Sequence, residues 1–350
     1  MRNNRKSWLI IQIAATYMGT VVGAGFASGL SIMQYFTHFG AYGLAGILVS
    51  TLLFLWLGTK MMVLSRRIGA YSHQELNTHL FGPYFGKAAN AISFVILFGV
   101  TAVMLSGAGS IFREQIGLSE QWGILLNLVL IYLVLSRQLK GILLINTLVV
   151  PMMVFFALVV GISYFSADAL FGTSAWQLKQ VQHLEWIISP FAYVALNLTT
   201  LQAVLVPLGK EIEDEQILTW GGIWGGIGIG LLLLTSHVSM NSLMPQILNF
   251  DIPMAEVIRE LGHFMHILFI LVIYGEIFTT LIGNVFGMTR QIQSLYPALS
   301  TKLLIVTILL ACFIVSQISY AMLLSHLYTL FGYIGLFLLA FLVVKRIPEK

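Results

Sequence analysis

Ten runs of apolar residues divide this chain, and most of its polar residues lie between them. The runs fall at about 8–38, 43–64, 88–110, 122–136, 142–164, 187–209, 219–238, 263–288, 303–318 and 321–344. Roughly 20 apolar residues are needed to cross the hydrocarbon core of a bilayer as a helix, and only the fourth and ninth runs are short of that length. At membrane depth a segment must satisfy its own backbone, which a helix does. The expected fold class is therefore an all-α polytopic membrane protein with ten transmembrane helices. Composition agrees: 58% of the 350 residues are hydrophobic and 9% charged, against about one quarter charged in soluble domains.

Charge sets the orientation. Lys and Arg favour the cytoplasmic side of short loops. With the N-terminus inside, the inner segments hold Arg2, Arg5, Lys6, Lys60, Arg66, Arg67, Lys87, Arg137, Lys140, Lys210, Arg290, Lys302, Lys345, Arg346 and Lys350, and the outer ones only Arg113, Lys179 and Arg259. Both termini are expected in the cytoplasm. The polar start Met1–Lys6 leads into the first run with no small-residue cleavage site, so that run is expected to remain as a span. The net charge of +4 is dispersed over short loops and builds no nucleic-acid surface. Cys312 is the single cysteine and lies in an apolar run, which excludes an intramolecular disulfide.

Ten spans divide into five and five, with halves at 1–175 and 176–350. An odd number of spans per half turns the second half over relative to the first, the inverted-repeat arrangement of many secondary transporters. No residue-level repeat accompanies it.

Within the first run lies Val21-Val-Gly-Ala-Gly-Phe-Ala-Ser-Gly29. Glycine costs a helix up to about 1 kcal/mol per residue, and bare backbone is tolerated in a membrane only where protein or a water-filled cavity satisfies it. Two readings are open. Gly19-x-x-x-Gly23 and Gly25-x-x-x-Gly29 are small-residue packing motifs. Alternatively the helix breaks near Gly23-Ala24-Gly25. A break frees the carbonyls of Gly19 through Val22, which suit a cation, and the N–H groups around Phe26 to Ser28, which suit a carboxylate. The matching sixth span carries Pro190, Tyr193, Asn197, Thr199 and Thr200. Its Asn and Thr side chains compete for backbone hydrogen bonds, and its position favours a second discontinuity over an ordinary helix with proline in its first turn.

The eighth run contains the only acidic residue deep in any span, Glu276. Ionisable side chains at that depth usually mark an ion or substrate path; a structural hydrogen bond to a neighbouring helix is the other reading. Thr279 and Thr280 share its helix face and offer the hard oxygens that small cations prefer.

These features together resemble the LeuT fold of the amino acid–polyamine–organocation superfamily. Gly19-Thr-Val-Val-Gly-Ala-Gly25 is similar to the Gly-x-x-Val-Gly-x-Gly pattern of its sodium symporters. The resemblance implies a sodium site formed by the carbonyls of Gly19, Val22 and Glu276 and the hydroxyls of Thr279 and Thr280. Position 276 is usually small in those symporters. The carboxylate here is open to three roles: proton site, cation ligand, or partner of a substrate amine. Proton-coupled relatives can place a lysine of the fifth span where sodium would sit, and Ile142 to Tyr164 contains none. More closely, Val22–Gly29 and Glu276-Ile-Phe-Thr-Thr-Leu-Ile-Gly-Asn-Val-Phe-Gly287 resemble the YkvI-like family of bacterial membrane proteins over most of the length. That implies a permease of the bacterial cytoplasmic membrane.

The expected function is a cation-coupled secondary transporter of an amino acid or related small amine. Its substrate would meet Gly23, Ala24, Gly25, Phe26, Ser28, Tyr193, Asn197 and Glu276, with sodium or a proton as coupling ion and no other cofactor. The alternative is a ligand-sensing subunit like a spore germinant receptor, without net transport. Residues 239–262 are expected to form an outer loop with a short helical stretch near Met254–Leu261, which in the resembled fold is a lid. The glycines of Trp220–Gly230 are read as helix packing. No HExxH, cysteine cluster or phosphate loop marks an enzyme.

Overall fold

A computed structural model describes residues 2–136, 140–164 and 185–348. The boundary placed at 175/176, and the charges of Arg137, Lys179 and Lys350, lie outside the described residues. Among the described residues the regular elements are helices: α1 (Arg2–Val21), α2 (Ala24–Ala27), α3 (Leu30–Tyr35), α4 (Ala41–Leu53), α5 (Thr59–Ile68), α6 (His73–Ile111), α7 (Glu120–Ser136), α8 (Lys140–Tyr164), α9 (Glu185–Glu211), α10 (Glu215–Ser242), α11 (Pro253–Arg259), α12 (His263–Leu295), α13 (Thr301–Val315), α14 (Tyr320–Leu323) and α15 (Thr329–Val344). Single π-helical turns at Phe54–Gly58 and Leu324–Tyr328 join α4 to α5 and α14 to α15. Each apolar run of the sequence coincides with one helix or one set of consecutive helices. Six of these, Ala41–Ile68, His73–Ile116, Glu185–Glu211, Glu215–Ser242, His263–Gln293 and Tyr320–Val344, are long and apolar enough to cross a bilayer.

α5 and α6 are separate helices joined by a short turn. Gly69 ends α5 in the left-handed conformation (φ 71°), and Ser72 starts α6 by accepting the amide of Glu75 at 3.3 Å, an N-cap.

Two helix groups emerge from the packing. In one, α10 packs against α1 and the α4–α5 rod, and α9 against α1, the same rod and α15; in the other, α6, α7, α12 and α13 pack on one another; α8 touches both α10 and α12. Each group draws members from both halves of the chain, as an inverted repeat does. The glycines of α10 explain the first group. Without side chains, Gly221, Gly225 and Gly228 admit Ile13, Tyr17 and Met18 of α1, while Gly222, Gly226 and Gly230 admit Thr59, Leu55 and Thr51 of the α4–α5 rod. One helix thus seats two neighbours at close range. Ion pairs Lys6–Asp214 (2.8 Å) and Arg67–Glu215 (2.9 Å) close one end of this group. Outward-facing positions such as Leu48, Leu52, Val129, Leu158, Leu310 and Ile314 stay apolar and exposed, as they must when lipid is the solvent.

Candidate functional site

The backbone leaves the helix at the end of α1. Val22 still donates to Met18 (2.9 Å), but the Gly23 amide turns to the Val21 carbonyl (2.9 Å). The Gly19 carbonyl thereby loses its regular helical donor. One turn, α2, follows, closed by Ala27 donating to Gly23 (2.8 Å). A second interruption comes at Ser28–Gly29, where Gly29 has φ 83°, a conformation that L side chains rarely adopt. A Cβ there would also stand 2.7 Å from Met240 Sδ. The flanks on either side are anchored alike. The Tyr17 hydroxyl donates to the Phe54 carbonyl (2.9 Å) and the Tyr35 hydroxyl to the Tyr328 carbonyl (2.7 Å). Both carbonyls belong to π-turns, which loosen the regular helical ladder.

This geometry corrects one expectation. The N–H groups of Phe26 to Ser28 do not open a half-helix toward an anion. α2 is one turn long, and the Ala27 amide is already bonded within it.

A second correction concerns the sixth span. α9 runs unbroken from Glu185 to Glu211. Asn197 donates to the Tyr193 carbonyl (2.8 Å), Thr199 to Ala195 (2.8 Å) and Thr200 to Asn197 (2.9 Å). These side chains fold back on their own helix instead of opening it, and Pro190, in the second turn of α9, withholds a single helical donor, the one Trp186 would receive, without interrupting the helix.

Glu276 is 1% exposed. Its Oε1 has no hydrogen-bond partner among the described residues, and its carbonyl accepts the Thr279 hydroxyl at 3.0 Å. One turn on, Thr280 Oγ1 lies 3.8 Å from the point where a Cβ of Gly23 would stand. The structure therefore joins the first interruption to α12 at Gly23 and Thr280. Beyond them Gly283 and Gly287 border open space, with nothing within 4 Å of where a Cβ would stand at either position. On the other side of α2, Phe26 and Ala27 line an apolar cavity of about 20 Å³ with Phe156, Leu232, Met254 and Phe269. That is room for about one water-sized group.

Other expected residues are placed elsewhere. Tyr193 packs on Tyr35 and Phe36, at ring-centroid distances of 5.3 and 5.0 Å, and its hydroxyl is buried without a partner among the described residues. Asn197 is turned to its own helix. Ser28 Oγ lies 2.9 Å from Tyr320 Oη, and Gly25 faces the Tyr328 ring, 2.9 Å from its would-be Cβ. The sequence alone does not single out Tyr320 and Tyr328. Tyrosines near a span end read first as interfacial anchors, and only their spacing of two helical turns hints at a shared face. Among the described residues no group of three or more His, Cys, Asp or Glu side chains is placed to hold a metal ion; the oxygens at the interruption are carbonyls and hydroxyls.

No protein-family model matches the chain. It is 41% identical over 339 residues to the uncharacterized membrane protein YkvI of Bacillus subtilis (strain 168), covering 97% of this chain and 96% of that protein. It is 25% identical over 334 residues to the uncharacterized protein YyaD of the same strain, covering 95% and 96%. Among solved structures it superposes on Mhp1 in its inward facing conformation with a TM-score of 0.56 at 13% identity, over 93% of this chain and 73% of that one. With Mhp1, a nucleobase-cation-symport-1 family transporter, in a closed conformation with bromovinylhydantoin bound, the TM-score is 0.58 at 11% identity, over 91% and 74%. At such identities the likeness is one of fold, the LeuT fold.

Proposed function

This chain belongs to the YkvI family of bacterial membrane proteins, and from that footing we propose that it is a secondary active transporter working by alternating access. Its ten helical segments cross the membrane with both termini in the cytoplasm, in agreement with the distribution of Lys and Arg, and 1–175 and 176–350 are the two inverted halves. The substrate is an amino acid or related small amine, coupled to sodium.

The observation that carries the reading is Glu276. A carboxylate buried at membrane depth must be paired or neutralised. The ion pairs among the described residues lie elsewhere, and none includes Glu276. A mobile cation is the partner that fits, and a substrate ammonium group meets this need. Sodium is held beside it by the carbonyls of Gly19, Val22 and Glu276 and by the hydroxyls of Thr279 and Thr280. Thr280 supplies the most available of these hydroxyls, since Thr279 already donates within its helix.

Uptake into liposomes tests this, with purified protein, labelled amino acids and amines, and imposed sodium or proton gradients. Stimulation by sodium that disappears in Thr280→Ala is the expected result. Uptake driven solely by a proton gradient, and lost in Glu276→Gln, overturns sodium coupling. Ligand binding with no gradient-driven uptake replaces transport by the sensing role.

A further inference from the structure

The segment between α10 and α12 is fastened at two points that lie far apart along the chain. On one side, the Glu114 carboxylate accepts two consecutive backbone amides, Asp251 at 2.9 Å on Oε1 and Ile252 at 3.2 Å on Oε2. The Asp251 carboxylate in turn accepts the Ser110 hydroxyl at 3.1 Å and pairs with Arg113, which also pairs with Glu120. Ser110 stands at the end of α6, and Arg113 and Glu114 in the π-helical turn Phe112–Ile116 that continues it. On the other side, the Met254 amide, in the first turn of α11, donates to the Ser28 carbonyl at 2.8 Å. The Met254 side chain lines the cavity with Phe26 and Ala27. The segment therefore bridges the end of the α6 span and the second interruption of the first helix. Movement of one anchor relative to the other strains one fastening or the other, and hydrogen bonds to an ionised carboxylate are the stronger kind.

We propose that Glu114 is the positioning residue of this lid: its carboxylate holds Asp251–Met254 over the interrupted helix, and its release opens the cavity beneath to the outer solution. The sidedness rests on the topology of the transporter reading; the clasp itself does not depend on a substrate or an ion.

Thiol accessibility tests it. Ala27 is 1% exposed beneath the lid, and Cys312 is fully buried. In a Cys312→Ala background, Ala27→Cys is treated from the outside with a membrane-impermeant thiosulfonate. Labelling is expected to be slow with Glu114 intact and about tenfold or more faster in Glu114→Ala. Glu114→Gln also labels faster, because its amide nitrogen cannot accept an N–H. Chains that keep Cys312 and lack Ala27→Cys serve as the folding check, since Cys312 stays unlabelled in a folded variant. Unchanged labelling of Ala27→Cys in folded Glu114→Ala and Glu114→Gln overturns the proposal. Should those variants unfold, the milder Glu114→Asp, whose shortened carboxylate cannot span both the Asp251 and Ile252 amides, is labelled instead; faster labelling of Ala27→Cys supports the proposal and an unchanged rate overturns it. Neither readout uses transport, so failure of the clasp and failure of the transporter reading remain distinct.

Discussion

Gly23 and Thr280 face each other where the interrupted helix meets α12, with Thr280 Oγ1 3.8 Å from the position of a Gly23 Cβ and Met104 Cε 3.5 Å from it. Both distances are ordinary van der Waals contacts, so a methyl fits. Gly23→Ala should fold and keep a melting temperature close to wild type, whereas Gly23→Leu should fold and lose sodium-dependent uptake by filling the space before Thr280. Thermal melts followed by gel filtration, together with liposome flux, check both. A Gly23→Leu protein with wild-type sodium dependence would remove Gly23 and Thr280 from the ion site.

Gly58 makes the opposite prediction. A Cβ there would lie 2.0 Å from Tyr17 Oη, the hydroxyl that donates to Phe54. Overpacking of this kind costs about 1–3 kcal/mol. Gly58→Ala should therefore melt several degrees lower. Gly287→Ala, which meets nothing within 4 Å, should melt like wild type or slightly higher, since alanine is the better helix former.

Replacing Glu276 should separate stability from function. Its Oε1 is buried without a partner among the described residues, and an unsatisfied buried polar group costs about 1–3 kcal/mol, more when charged. Glu276→Gln should unfold no earlier than wild type, yet lose stabilisation by amine ligands in a thermal-shift assay. A large fall in melting temperature without ligand would mean that the carboxylate is structural.

The Lys6–Asp214 pair carries a pH signature. Asp214 caps α10 by accepting the Gln216 amide at 3.0 Å. The hydrogen bond from Lys6, then that backbone bond, holds its carboxyl below the usual aspartate range. A lowered folded-state pKa contributes stability that is present above the ordinary value of about 3.9 and is lost as pH falls through the lowered one. The side chains are solvent-exposed, so the effect is small and sensitive to salt. Melting temperature measured downward from about pH 6 should fall less steeply in Asp214→Asn than in wild type below about pH 4. Identical acid limbs would show that the pair contributes nothing.

Much of the architecture is legible in the chain itself. Helix positions follow from ten apolar runs because a backbone in lipid has few alternatives to a helix. The packing role of the α10 glycines follows from their spacing, because only small residues let two neighbours approach one helix. The continuity of the sixth span is not legible, because Asn197, Thr199 and Thr200 are ambiguous: the side chains that stabilise a broken turn also bond back to their own helix. Tyr320, Tyr328 and Glu114 are silent in the sequence because what gives each its role is a partner far along the chain, Ser28, Gly25 and Asp251 respectively.

The sequence by itself determined that this is a helical membrane protein, and it located Glu276 and the glycine-rich interruption, since apolar length and a buried charge are local properties with few physical solutions. Only the tertiary structure decided that the first helix is interrupted twice, that α9 is whole, that Thr280 meets Gly23, and that one carboxylate in the turn continuing α6 holds the segment over Ser28. Those outcomes depend on which backbone groups find partners on other helices, and hydrogen-bond satisfaction across a packed interior is a property of the assembled fold.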